Sequence, residues 1–429
     1  MAAAGSGTKM VAVAVSASIF APNARALAGR MRASRLPTST EMPLSTNSTS
    51  SVVRSAGDKA TRSRISRLSN PVLLASLRLT LVHPGLVHHE KQRMPPPLSV
   101  LDLVPLGSGS TSADALRAAV DIARTVDRLG FRRLWYAEHH NMPGIATTAP
   151  EILIAHVAQV VSRIRVGAGG VMLPNHSALK VAETYRLLEA LHPGRIDLGI
   201  GRAPGTDPLT ALALRRSRNA PLADDFLTQL AELMAWGEGT LPASHPFAKV
   251  RAMPDDVQLP PIWLLGSTDY SANLAAELGL GFAFAGHFSP DAPERPLALY
   301  RERFRPGPLE KPHAILALSV FCAETEDAAT RMASSVLLSF AQLRAGRAGR
   351  MPSPDEALAH VYTPEEQATA AQFRRLQIIG TPERVRAAIE RVAERTGADE
   401  IMLATHAFDA AARVRSFELV AGAFAGSDR

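Results

Sequence analysis

Cysteine is almost missing from this chain of 429 residues. The lone Cys322 has no partner for an intramolecular disulfide and no second thiolate for a zinc site, which excludes a disulfide-stapled scaffold and a cysteine-based metal fold. A buried strand position is expected for it. No apolar run is long enough to span a bilayer, so no membrane partner is expected. A nicotinamide-binding fingerprint is missing too: Gly107-Ser108-Gly109 lacks the third glycine in register, which argues against a doubly wound dinucleotide-binding sheet. Surplus charge is also missing from most of the chain. Of the 47 basic and 40 acidic residues, 13 and 3 lie in residues 1–97, which leaves 34 and 37 over residues 98–429. The net charge of +7 therefore belongs to the first segment, and the remainder carries no basic footprint for a nucleic-acid partner.

That first segment is rich in Ala, Ser, Thr and Arg, has few large apolar residues in any period, and ends in Met94-Pro95-Pro96-Pro97. Such a composition cannot build a packed core, so residues 1–97 are expected to be a disordered leader. Lys9 followed by an apolar stretch over 10–21 and then Ala26-Leu27-Ala28 has the order of a secretory signal. An Arg- and Ser-rich, acid-poor character also suits an organelle transit segment. Periodic structure begins within a few residues of Met94, so initiation there, with a cytoplasmic location, is the preferred reading.

From Leu98 onward, short aliphatic runs alternate with segments of helical period, which predicts a parallel sheet. Strands are expected at 98–104, 132–137, 164–168, 195–200, 261–265, 281–285, 314–322 and 400–404. The first helix shows the logic between them. Thr111 or Ser112 caps it, Leu116, Ala119, Val120, Ala123 and Val126 form one stripe, and Gly130 stops it. Further helices are expected over 151–161, 179–191, 222–236, 270–278 and 382–395, while 201–259 and 324–380 are too long for simple loops. The fold class expected is α/β, a (β/α)8 TIM barrel over residues 98–429 with insertions after strands 4 and 7.

In such a barrel the reactive groups come from the C-terminal ends of the strands, and the unusual residues fall there. Strand two ends in Glu138-His139-His140-Asn141, strand three in Gly167-Ala168-Gly169-Gly170, strand four in Gly199-Ile200-Gly201-Arg202, strand five in Gly266-Ser267-Thr268 and strand six in Gly286-His287. Neighbours on a strand face opposite ways, so His139 and His140 cannot share a ligand unless the strand has ended. A histidine here is either structural or a general acid or base. Glycines at 167, 169 and 170 are either a tight turn or a clearing at the barrel mouth where a flat ring meets backbone. Arg202 together with Ser267, Thr268 and Ser271 at a helix start makes either an anion pocket or an ordinary cap.

At these residues the chain resembles the luciferase-like monooxygenases over nearly all of 98–429. The resemblance is carried by Ser99-Val100-Leu101-Asp102-Leu103-Val104-Pro105, Trp135-Tyr136-Ala137-Glu138-His139-His140, the run from Val166 to Pro174, and the run from Arg195 to Arg202. It implies reduced FMN bound at the barrel mouth, its reaction with O2 to a C4a-peroxyflavin, and oxidation of a small organic substrate. It also implies a separate flavin reductase and a homodimer paired through helices beside strands two and three. Residue by residue, it implies that His139 is catalytic, that Gly169 and Gly170 form the peptide under the flavin ring, and that Gly201, Arg202, Ser267, Thr268 and Ser271 belong to the flavin site. Gly201 stands where luciferase has a reactive cysteine, and the aldehyde-specific loop has no counterpart over 201–259, which speaks against light emission. Other branches of the superfamily use a deazaflavin and transfer hydride, and that alternative stays open, as does a flavin-binding protein without turnover. A metal-dependent barrel hydrolase using His139 or His140 with His176 or His287 is a further alternative. It lacks the paired histidines that such enzymes carry on strand one, so no metal is expected.

Overall fold

Apolar runs bounded by turn residues form nine strands among the residues that the computed structural model describes, 95–215 and 225–425. These are β1 (Leu98–Asp102), β2 (Arg133–Tyr136), β3 (Arg165–Met172), β4 (Ile196–Gly201), β5 (Ile262–Gly266), β6 (Gly281–Phe284), β7 (Ala314–Cys322), β8 (Gln377–Gly380) and β9 (Glu400–Ala404). All the pairings are parallel, running from β1 through β6 to β7, then β9, and back to β1, which closes an eight-stranded barrel. The helices around it are α1 (Ser112–Arg128), α2 (Pro150–Val160), α3 (Ala178–Leu191), α4 (Pro208–Arg215), α5 (Phe226–Glu238), α6 (Asp269–Leu278), α7 (Glu294–Arg303), α8 (Glu326–Arg344), α9 (Pro354–Ala359), α10 (Pro364–Arg374), α11 (Pro382–Thr396) and α12 (Ala410–Ala425). No helix among the described residues is long and apolar enough to cross a membrane. Residues 1–94, on which the expectation of a disordered leader falls, and positions 222–224 of one expected helix lie outside the described residues.

Two strand expectations are corrected. The insertion over 324–380 ends in β8, which pairs Ser319 to Cys322 of β7 with Gln377 to Gly380 outside the barrel. β3 runs on to Met172 through a bulge, because Val171 and Met172 pair again with Ile200 and Gly201, so Gly169 and Gly170 lie within the strand and not in a turn after it. Their peptide bond is cis. Cys322 is buried on β7, as expected.

Local chemistry explains the helices. Thr111 and Asp114 form a reciprocal capping box on α1, and Ala115, Ala119, Ile122, Ala123 and Val126 are buried along one stripe before Gly130 turns left-handed at φ 82°.

Inside the barrel, side chains alternate inward and stack in layers. At the N-terminal end, Arg133 reaches Asp197 at 3.0 Å and Glu400 at 2.8 Å, and its guanidinium lies 4.5 Å from the Trp263 ring centre. Burial alone lowers the Arg133 pKa, but Asp197 and Glu400 outweigh it and raise that pKa. Above this polar floor sits an apolar layer that includes Leu101, Trp135, Trp263, Ile315 and Met402. The residues nearest the C-terminal rim are small, with Ala137, Ala317 and Ala404 in the same cluster. Truncated side chains at the top of a barrel leave volume unfilled, and that is where the site lies.

Candidate active site

A cavity of about 350 Å³ opens at the C-terminal ends of the strands. Its floor is Leu101, Trp135 and Met402, and its rim draws His139, Gly169, Gly201, Arg202, Ser267, Thr268 and Ser271 into one lining. Side chains spread over more than a hundred positions of sequence thus converge because parallel strands end at one face. A Cβ on Gly170 would come within 2.7 Å of the Gly199 carbonyl oxygen, and one on Gly167 within 2.6 Å of Asp197, so both allow close packing toward β4, while Gly169, joined to Gly170 by the cis peptide, lines the cavity.

His139 and His140 have parted ways, since β2 ends at Tyr136 before either is reached. His140 Nε2 lies 2.8 Å from Glu138, and His176 Nε2 lies 2.9 Å from the same carboxylate, which also accepts the Met172 N–H at 2.9 Å. Burial pushes the Glu138 pKa up, but the hydrogen bonds from His176, Met172 and His140 outweigh it and hold the carboxyl below its ordinary value. The same ion pair raises His176 against its own desolvation. Glu138 therefore ties the loop after β2 to the end of β3. The described residues hold no group of three or more His, Cys, Asp or Glu side chains arranged for a metal.

His139 faces the cavity instead. Its Nδ1 is 3.3 Å from the Gly205 carbonyl, so with Nδ1–H donating there, Nε2 is the acceptor nitrogen. Burial lowers the His139 pKa below 6.5, opposed by the Gly205 carbonyl and Glu138, so the ring is a neutral base at pH 7. Gly205 has φ 65°, and a Cβ there would come within 2.9 Å of both the Glu138 carbonyl oxygen and Met172, so the carbonyl that orients His139 depends on glycine.

The opposite wall is electropositive. Arg202 holds its guanidinium 4.4 Å from the Tyr270 ring centre, over the start of α6. Thr268 is the N-cap of α6 but its side chain makes no cap hydrogen bond, so the first-turn N–H groups remain available to an anion. Asp269 in that turn is paired with Arg295 at 2.9 Å, and Ser271 donates its hydroxyl to the Thr268 carbonyl at 3.0 Å. Arg202 and this helix end are the groups that could hold a phosphate, and the apolar floor is the surface that could carry a flat ring.

Sequence reasoning missed Tyr270 and Phe288 in this lining and His406 in that of the adjoining cavity. His406 follows β9 without the glycine-rich signature that marked the other strand ends, so only the closed barrel brings it near His287, their ring centres being 6.2 Å apart.

Residues 97–400 match the family model described as luciferase-like monooxygenase. The chain is 44% identical over 331 residues to the uncharacterized protein YvbT of Bacillus subtilis (strain 168), covering 77% of this chain and 97% of that one. It is 42% identical over 322 residues to a luciferase-like monooxygenase of Escherichia coli (strain K12), covering 75% and 95%. Among solved structures, apo-MsnO8 superposes with a TM-score of 0.69 at 38% identity, covering 77% of this chain and 98% of that chain. The same fold is shared, at 19% and 14% identity and TM-scores of 0.59 and 0.56, by the oxygenating constituent of 3,6-diketocamphane monooxygenase in complex with FMN and by an F420-dependent secondary alcohol dehydrogenase. The first alignment covers 77% of this chain and 98% of that one, the second 77% and 99%. With its closed parallel barrel and the match over most of its length, the chain belongs to the luciferase-like monooxygenase family and is an oxidoreductase.

Proposed function

We propose that this enzyme binds reduced FMN in the 350 Å³ cavity and uses it with O2 to monooxygenate a small organic substrate. The observation that carries this reading is the convergence of an anion pocket, an apolar floor and a neutral histidine on one lining. Bound reduced FMN supplies the electrons that activate O2 for transfer of one oxygen atom. The chain's own residues do the rest. Arg202, Ser267, Thr268 and the α6 N-terminus hold the phosphate, and Gly169 leaves the rim open to the ring. His139 Nε2 holds or takes a proton beside the reacting atoms, and the apolar walls keep water out. The chain has no nicotinamide fingerprint, so the reducing equivalents come from a separate flavin reductase, in the cytoplasm by this reading.

The reading also pairs two copies of the chain. Ile152 on α2 and Leu187 and Leu191 on α3 stand 68%, 55% and 61% exposed, an apolar strip on the helices beside β2 and β3 that a second copy would cover.

Rapid mixing of protein and reduced FMN with oxygenated buffer tests the chemistry. Reoxidation kinetics distinct from those of free reduced FMN are expected. Unchanged kinetics would overturn the proposal, as would turnover supported by a reduced deazaflavin without O2 uptake.

A further inference from the structure

The Gly205 carbonyl that orients His139 belongs to the loop between β4 and α4, which has no regular secondary structure. A free loop carbonyl would swing away from the imidazole, so other groups must hold it. The residues on either side are both tethered. The Pro204 carbonyl accepts a hydrogen bond from Asn175 Nδ2 at 2.9 Å, and the Thr206 hydroxyl donates to the His140 carbonyl at 2.7 Å.

Both tethers lead to one carboxylate. Glu138 is 1% exposed and lies 2.8 Å from His140 Nε2, 2.9 Å from His176 Nε2 and 3.4 Å from Asn175 Nδ2, while accepting the Met172 N–H at 2.9 Å. Asn175 turns its amide this way because Arg215 Nε donates to Oδ1 at 3.3 Å, which leaves the two Nδ2 protons for Pro204 and Glu138. Two arms therefore close on Gly205 from both sides, one through Asn175 to Pro204 and one through His140 to Thr206. A buried carboxylate that meets this many donors is held in place, since moving it would leave each of them unpaired.

Charge works with the geometry. The titratable groups that act on His139 or feel it are Glu138 and His140 on its own segment, His287 after β6 and His406 after β9. Burial pushes His287 down to about 3 and holds His406 well below the ordinary histidine value, so both are neutral at pH 7. Burial lowers the His139 pKa too, and the Gly205 carbonyl and the Glu138 charge are what oppose it. Around Glu138 stand His140 and His176, with Glu151 of α2 and Tyr185 of α3 close by.

We propose that Glu138 is the positioning residue for His139: its carboxylate, through Asn175 and His140, clamps the Gly205 carbonyl onto Nδ1–H and so fixes Nε2 as the free acceptor. The clamp requires the chain alone. That it serves turnover rests on reading His139 as the base of the flavin reaction.

Nitrogen NMR of the full chain with 15N-labelled histidine reads tautomer and pKa without flavin, once a His139→Gln variant has identified the His139 signals. The parent is expected to carry the proton on Nδ1 at pH 7. Glu138→Gln keeps the side chain's shape but replaces an acceptor oxygen by a donor. It should spread His139 over both tautomers and lower its pKa by roughly one pH unit, because the anion and the oriented carbonyl are lost together. Thr206→Val cuts one arm and should give a smaller change of the same kind. His313, beside Glu400 at the barrel floor, is the fold control in the same spectra and should not move. Glu138 does not line the 350 Å³ cavity, so in Glu138→Gln FMN affinity should stay near the parent value while the turnover number falls about tenfold or more. A parent His139 protonated on Nε2, or a His139 unchanged in tautomer and pKa in Glu138→Gln, would overturn the proposal. Should Glu138→Gln also displace His313, Thr206→Val decides, and an unchanged His139 there would overturn it. A displaced tautomer with parent turnover would leave the clamp standing and count against His139 as the base alone.

Discussion

At the scale of single residues, the account turns on how His139 is held. A cavity-facing imidazole serves proton transfer when one nitrogen is fixed as donor and the other left as acceptor, and the Gly205 carbonyl does the fixing. We expect His139→Ala to lower the turnover number by about a hundredfold to ten-thousandfold while FMN affinity stays near the parent value. Equal losses in both would remove His139 from the chemistry. The pH profile follows from the lowered pKa. A base whose pKa is lowered from the ordinary histidine value is mostly deprotonated at pH 7, so the rate should hold level from neutral pH upward and fall as the pH drops through the acid range. A profile falling through pH 7 would contradict the neutral histidine.

At the scale of elements, the barrel floor governs acid stability. Burial raises the Glu400 pKa, but His313, Arg133 and Ser99 together outweigh it and hold the carboxyl down at about 2, against 4.5 when free. A depressed carboxylate contributes stability that is fully present above 4.5 and is lost as pH falls toward 2. The linkage is on the order of 3 kcal/mol, so the urea midpoint should drop across that window. Glu400→Gln should be weaker at pH 7 and flatter in acid. A parent-like acid slope in that variant would show that the floor does not set it.

The barrel strands were legible as aliphatic runs between turn residues, because strands buried on both faces need nothing else. β8 was not, since Gln377-Ile378-Ile379-Gly380 is short, sits among helical periods, and gains its partner from β7. The true end of β3 was hidden for a similar reason. Gly169 and Gly170 read locally as a turn, and only the distant pairing of Val171 with Ile200 carries the strand past them. His139, Arg202 and Thr268 stand out at strand ends by residue type, but their assignment to a flavin site came from the family resemblance. The clamp on Gly205 was not legible, because Asn175 and His140 meet Pro204 and Thr206 only through tertiary closure.

For the whole molecule, the exposed strip on α2 and α3 predicts a dimer. Ile152→Asp combined with Leu187→Asp should shift the sedimentation coefficient to that of a monomer, and a parent that already sediments as a monomer would exclude this interface. The central claim is that one rim holds FMN by its phosphate and its ring together. Its most direct test is an anaerobic titration with reduced FMN, in parallel with reduced riboflavin and with the Arg202→Ala variant. The account predicts saturable binding of FMN, weaker binding of riboflavin, and a variant that loses about tenfold or more for FMN but little for riboflavin. No saturable association with FMN, or a variant that binds both flavins as the parent does, would contradict it.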